Sequence, residues 1–114
     1  MNVRIGLVGY GTGGRYFHAP YIVASPHCEL MGVVARSQEK KAAVTEDFPD
    51  LPTMDSLAEL VELGVDAVVI STPPHTRREL VLEAIAAGVA VVADKPFAPT
   101  AKAGQALIST AAKA

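Results

Sequence analysis

Val3-Arg4-Ile5-Gly6-Leu7-Val8-Gly9-Tyr10-Gly11-Thr12-Gly13-Gly14 decides how this chain is read. Val3–Val8 is a short apolar run that stops at a cluster of glycines, the pattern of a buried strand entering a tight turn. Gly9 through Gly14 then match G-x-G-x-x-G between a predicted strand and a predicted helix, and that context makes the match specific. Each glycine has a physical task. Gly9 permits the turn, Gly11 lets the backbone approach a pyrophosphate, and Gly14 lets the helix pack closely on the strand. The unsatisfied N–H groups and the dipole at the helix start favour anionic phosphates. The candidate cofactor-binding residues of this loop are Gly9, Tyr10, Gly11, Thr12, Gly13 and Gly14. No G-x-x-x-x-G-K-[ST] string is present, so a nucleotide-hydrolysing P-loop is not expected.

Outward from the loop, helical and strand-like segments alternate. A helix is expected from about residue 14 to 24, starting late or bending at Pro20, and Ser25-Pro26 ends it. Residues 30–35 read as strand two. Ser37 to about Asp47 reads as a helix with Glu39 at its favourable end and Pro49 beyond it. Pro52-Thr53 is a very short third strand. Asp55 looks like the N-cap of a helix that presents Leu57, Leu60 and Val61 and stops at Gly64. Residues 67–70 form a strand buried on both faces. Thr76-Arg77-Arg78-Glu79 has the capping-box pattern ahead of an apolar stripe, Leu80, Val81, Ala84 and Ile85, closed by Gly88. Residues 89–93 are strand five, and Thr100 onward is one more helix.

This succession predicts an α/β fold: a doubly wound parallel sheet of order 3-2-1-4-5 with helices on both faces. Its ligand crevice would lie at the carboxyl ends of strands one and four. The 114 residues suit one domain with a single core, and with 50% hydrophobic residues and few aromatics the core is aliphatic. A formal charge of −2 argues against nucleic acid or an anionic membrane as partner. One cysteine, Cys28, excludes an internal disulfide and suggests a reducing, cytoplasmic setting. No secretory leader and no transmembrane span are expected. His27 and Cys28 lie apart from other ligand types, so no metal site is expected.

An acidic residue about 20 positions past the glycines usually holds the ribose 2′-hydroxyl of NAD. Strand two ends here in Val33-Val34-Ala35-Arg36-Ser37, without one. Arg36 can stack on adenine or pair with a 2′-phosphate, and Ser37 can donate to it. The reading is NADP or NAD, with NADP favoured.

The glycine loop, Ser71-Thr72-Pro73-Pro74 after strand four and Asp94-Lys95-Pro96 after strand five together resemble the Gfo/Idh/MocA group of sugar and polyol oxidoreductases. Phe17-His18-Ala19-Pro20 and Ala35-Arg36-Ser37 agree with it, and the resemblance covers essentially the whole chain. It implies that Thr72, Pro73 and Pro74 line the cofactor site. It implies that Lys95, in the motif that the family writes Glu-Lys-Pro, sits beside the nicotinamide and the substrate hydroxyl as the catalytic residue, with Asp94 at the cofactor. An ammonium there can stabilise negative charge that develops on the reacting oxygen. The family often has a histidine where Arg77 stands, and no role is transferred to Arg77 or to His75. His18 and Tyr16 would face the crevice only if the first helix starts early.

Family members continue into a second domain that holds most of the substrate pocket, supplies an Asp and a His, and commonly forms the oligomer interface. The expectation is therefore a cofactor domain that binds a dinucleotide and is catalytically incomplete alone. Its apolar fifth strand would be an edge open to self-association, within a full-length homo-oligomer acting on a small sugar- or polyol-like substrate. Two other readings use the same loop. One is a dinucleotide- or CoA-binding regulator without chemistry, which would have no need of Lys95. The other is a reductase of the biliverdin-reductase or dihydrodipicolinate-reductase kind.

Overall fold

The computed structural model describes residues 3–11 and 13–93. Five parallel strands lie in the order β3-β2-β1-β4-β5: β1 (Val3–Val8), β2 (Cys28–Val34), β3 (Thr53–Met54), β4 (Ala67–Ile70) and β5 (Ala90–Ala93). The expected topology is the observed one. Four α-helices connect them: α1 (Ala19–Ala24), α2 (Gln38–Asp47), α3 (Leu57–Glu62) and α4 (Arg77–Ala86). The helix expected from Thr100 lies outside the described residues.

Successive residues of a strand point to opposite faces, so the sheet divides the apolar side chains into two clusters. Leu7, Val33 and Val69 face α1 and α2 and pack with Tyr10, Ala19, Ile22 and Val44. Val8, Val34, Val68 and Ile70 face α3 and α4 and pack with Leu57, Leu60, Val81 and Ala84. Gly6 pairs with Gly32 across β1 and β2, and Leu60 packs on both. The central strands are buried on both sides, which is why their sequence is apolar without alternation. Among the described residues no helix is long and apolar enough to cross a membrane.

Local details differ from the sequence reading, each for a physical reason. The first helix has Pro20 in the first turn of α1, one of the two expected arrangements, but it enters through a π-helical turn over Gly13–His18. Proline has no N–H, and its ring would strike the carbonyl four residues back; a widened turn relieves both problems. Pairing of β3 begins at Thr53 because Pro52 contributes only its carbonyl, which accepts from the Val33 N–H at 3.1 Å. The N-cap of α3 is Ser56, not Asp55. The Asp55 carboxylate is drawn instead to the Lys41 ammonium, while Glu59 reaches back to the Asp55 N–H. The capping box at Thr76 does not form. A short three-ten turn, Pro74–Thr76, runs directly into α4, so Thr76 has helical backbone angles and its hydroxyl turns elsewhere.

Candidate functional site

A cleft of about 660 Å³ opens at the carboxyl ends of β1, β2 and β4, where the strand order reverses. Its floor is Val8, Gly9 and Tyr10. One wall comes from the end of β2 and the start of α2: Ala35, Arg36, Ser37 and Lys40. The other follows β4 and climbs α4: Thr72, Pro73, Thr76, Glu79 and Leu80. The volume suits a small-molecule or cofactor site.

The floor depends on two glycines. Gly9 has φ +102°, where an L side chain is strained, and its N–H donates to the Val34 carbonyl at 3.0 Å. A Cβ on Gly14 would lie 2.3 Å from the Gly9 carbonyl oxygen, so the helix can reach this strand end only without a side chain. The close packing expected of the third glycine is therefore present. Gly13 and Gly14 belong to the π-helical turn behind the floor, and Gly14 is buried.

Tyr10 lines the cleft but gives it no ring. Its side chain is buried under α1 and α2, and its hydroxyl donates to Asp47 Oδ2 at 2.6 Å. Arg15 holds the same carboxylate through Nε at 2.8 Å and Nη2 at 3.2 Å. These bonds, Arg15 foremost and then Tyr10, hold the Asp47 carboxyl below the usual range. Burial, and then the bond to Asp47, push the Tyr10 hydroxyl above its ordinary value. The network ties the glycine loop to the far end of α2.

On the β2 side, Ser37 caps α2, its Oγ accepting from the Lys40 N–H at 3.1 Å. The hydroxyl hydrogen stays available to another acceptor. Arg36, Ser37 and Lys40 are exposed and share this wall. The Lys40 Nζ lies 3.8 Å from where a Cβ on Gly11 would be, so an ammonium stands over the glycine loop. Sequence reasoning missed Lys40. The signal was available: a residue three positions after an N-cap lies on the same end of the helix, one turn along.

On the β4 side, Thr76 Oγ1 donates to the Pro73 carbonyl at 2.6 Å, and the Thr76 N–H reaches the same oxygen at 3.0 Å. A hydroxyl carries one hydrogen, so in the adjacent Thr72–Thr76 pair Thr72 is the donor. Behind this turn Arg77 is 2% exposed, with Nε and Nη2 both donating to the Thr72 carbonyl, at 3.1 and 2.9 Å. His75 is exposed and lines the cleft, whereas Tyr16 and His18 do not line it although the helix starts early. Thr12, Asp94 and Lys95 lie outside the described residues, and Pro74 is placed only as part of the three-ten turn. Among the described residues no group of three His, Cys, Asp or Glu side chains gathers as a metal site needs.

Residues 3–114 match the sequence model of an oxidoreductase family with an NAD-binding Rossmann fold. The chain is 41% identical over 108 residues to a galactose 1-dehydrogenase of Pseudomonas fluorescens, covering 93% of this chain and 32% of that protein. It is 29% identical over 106 residues to the Bacillus subtilis scyllo-inositol 2-dehydrogenase (NADP(+)) IolW, covering 92% of this chain and 29% of that one. Among solved structures it resembles KijD10, a 3-ketoreductase from Actinomadura kijaniata in complex with TDP-benzene and NADP. There the TM-score is 0.86 at 25% identity, over 99% of this chain and 36% of that one. The chain thus spans about a third of the length of the relatives it matches.

Proposed function

The chain belongs to the Gfo/Idh/MocA family of oxidoreductases, and from that premise we propose that it binds NADP as the cofactor domain of an enzyme that moves hydride to or from a sugar, polyol or related carbonyl or alcohol. The observation that carries the choice of cofactor is the wall formed by Arg36, Ser37 and Lys40. Two cations and a hydroxyl donor gather at the end of β2, where NAD-binding domains carry a carboxylate for the ribose. A 2′-phosphate satisfies all three groups, whereas a 2′-hydroxyl satisfies none of the charge. The residues also fit the rest of a dinucleotide. The glycine floor presents backbone at close range, and the apolar Leu57 and Leu80 give a base something to lie against.

When bound, the nicotinamide supplies or accepts the hydride. The chain's own residues then bind and orient. Arg36, Ser37 and Lys40 anchor the phosphorylated ribose, the glycine loop takes the pyrophosphate, and the Thr72–Pro73 turn borders the site. Lys95, in the Asp94-Lys95-Pro96 motif, donates a hydrogen bond to the reacting oxygen and stabilises its developing charge. Substrate selection, the remaining acid–base groups and the homo-oligomer contacts are assigned to the additional length that the relatives have.

The test is a titration of the chain with NADPH and with NADH, followed by nicotinamide fluorescence and by calorimetry. Expected is tighter binding of NADPH, with a loss of about tenfold in Arg36→Ala and no loss for NADH. Equal affinities would withdraw NADP and leave the fold reading standing. Binding of CoA in place of either nucleotide would favour the regulator reading.

A further inference from the structure

We propose that Arg77 is a positioning residue that sets the cofactor-facing turn 72–76 from behind the cleft; this rests on the cofactor reading above. Arg77 does not line the cleft. It is the first residue of α4, where the helix dipole opposes a cation, and it is 2% exposed, where desolvation opposes one as well. A guanidinium held against both penalties must be fixed by its contacts. Two of its N–H groups converge on a single acceptor, the Thr72 carbonyl, at 3.1 and 2.9 Å.

That carbonyl belongs to the residue that joins the β4 wall to the floor. Thr72 contacts the floor, since its Cγ2 lies 3.0 Å from where a Cβ on Gly9 would be, and its hydroxyl is bonded to Thr76. Thr76 closes the loop through the Pro73 carbonyl. The Thr72–Thr76 bond depends on where the Thr72 residue stands, and Arg77 grips its carbonyl. The planar fork matters here: a lysine keeps the charge but cannot direct two donors in one plane at one oxygen.

The experiment compares the wild-type chain with Arg77→Lys and Arg77→Ala. Urea unfolding reports the fold, hydrogen exchange without cofactor reports segments 71–76, and nicotinamide fluorescence reports NADPH. Arg77→Lys is expected to keep the wild-type unfolding midpoint closely. It should exchange faster in segment 71–76 with β1 and β2 unchanged, and bind NADPH about tenfold more weakly. In Arg77→Ala, millimolar guanidinium should recover part of the NADPH affinity, and equal sodium chloride should not. Should the alanine variant fail to fold, the lysine variant decides. Unchanged exchange and unchanged affinity in Arg77→Lys would overturn the proposal. So would faster exchange spread over all strands, the mark of a residue that only holds the fold. If wild type itself binds no NADPH, the cofactor reading falls, and the exchange comparison still decides whether Arg77 clamps the turn.

Discussion

The two walls of the cleft are built on opposite principles. The β2 wall offers exposed, flexible side chains, Arg36 and Lys40, on either side of a helix cap. The β4 wall is a bonded network that links Thr72, Pro73, Thr76 and the buried Arg77. One wall would recognise by charge and tolerate small displacements, because Coulomb attraction falls slowly with distance. The other would recognise by shape, because hydrogen-bond energy falls steeply with angle. A dinucleotide held between them would be selected by the first wall and aligned by the second.

The largest effect should come where the walls share a floor. Gly14→Ala would force a Cβ against the Gly9 carbonyl, 2.3 Å away, and neither backbone can yield cheaply. We expect a loss of about 3 kcal/mol in urea unfolding, with both walls disturbed together. A variant of wild-type stability would mean that the close packing of helix on strand is not what supports the cleft.

Breaking the charge wall should be nearly as large for one ligand and almost silent for stability. Arg36→Ala combined with Lys40→Ala is expected to weaken NADPH about a hundredfold and to leave NADH and the unfolding midpoint nearly unchanged. Because both side chains are exposed, the wild-type preference for NADPH should also shrink as salt is raised. A preference insensitive to salt would place recognition on the β4 wall instead.

The anchor beneath the floor should have a smaller effect, and one that depends on pH. Tyr10→Phe removes the bond to Asp47 and should cost about 1 kcal/mol. Arg15 and Tyr10 depress the Asp47 carboxyl in the folded chain. Its contribution is therefore present above the ordinary carboxylate value and is lost as pH falls through the depressed one. Asp47→Asn should flatten that acid limb, below about pH 4, in a plot of stability against pH. An unchanged limb would show that the contact does not persist in solution.

The smallest effect is expected at the Lys41–Asp55 pair on the outer side of α2, where Asp55 is mostly exposed. Lys41→Met should leave the thermal midpoint unresolved from wild type, because a pair with one partner mostly in water gains little over solvation. A clear drop would mean that α2, and with it the charge wall, is held more rigidly than its exposure implies.

The strands, their order and the glycine loop were legible because each rests on local information. Val3–Val8 and Ala67–Ile70 are apolar without alternation, as only strands covered on both faces are. Given the alternation with helices, the crossover rule left one plausible sheet. The helix start at Ser37 and Gly64 and Gly88 as stops were legible for the same reason. The misread boundaries fall where two local signals compete: Asp55 against Ser56, and the threonine cap at Thr76 against the three-ten turn of Pro74–Thr76.

By itself, then, the sequence determined a doubly wound sheet with a glycine-floored crevice, because period, turn chemistry and handedness act over a few residues at a time. Only the tertiary structure decided what surrounds that floor. It brought Asp47 to Tyr10 across 37 positions and set the Lys40 ammonium over Gly11. No local pattern encodes those meetings. They follow from the crossovers that carry each helix back over the sheet, and from the cost of burying a polar group without a partner.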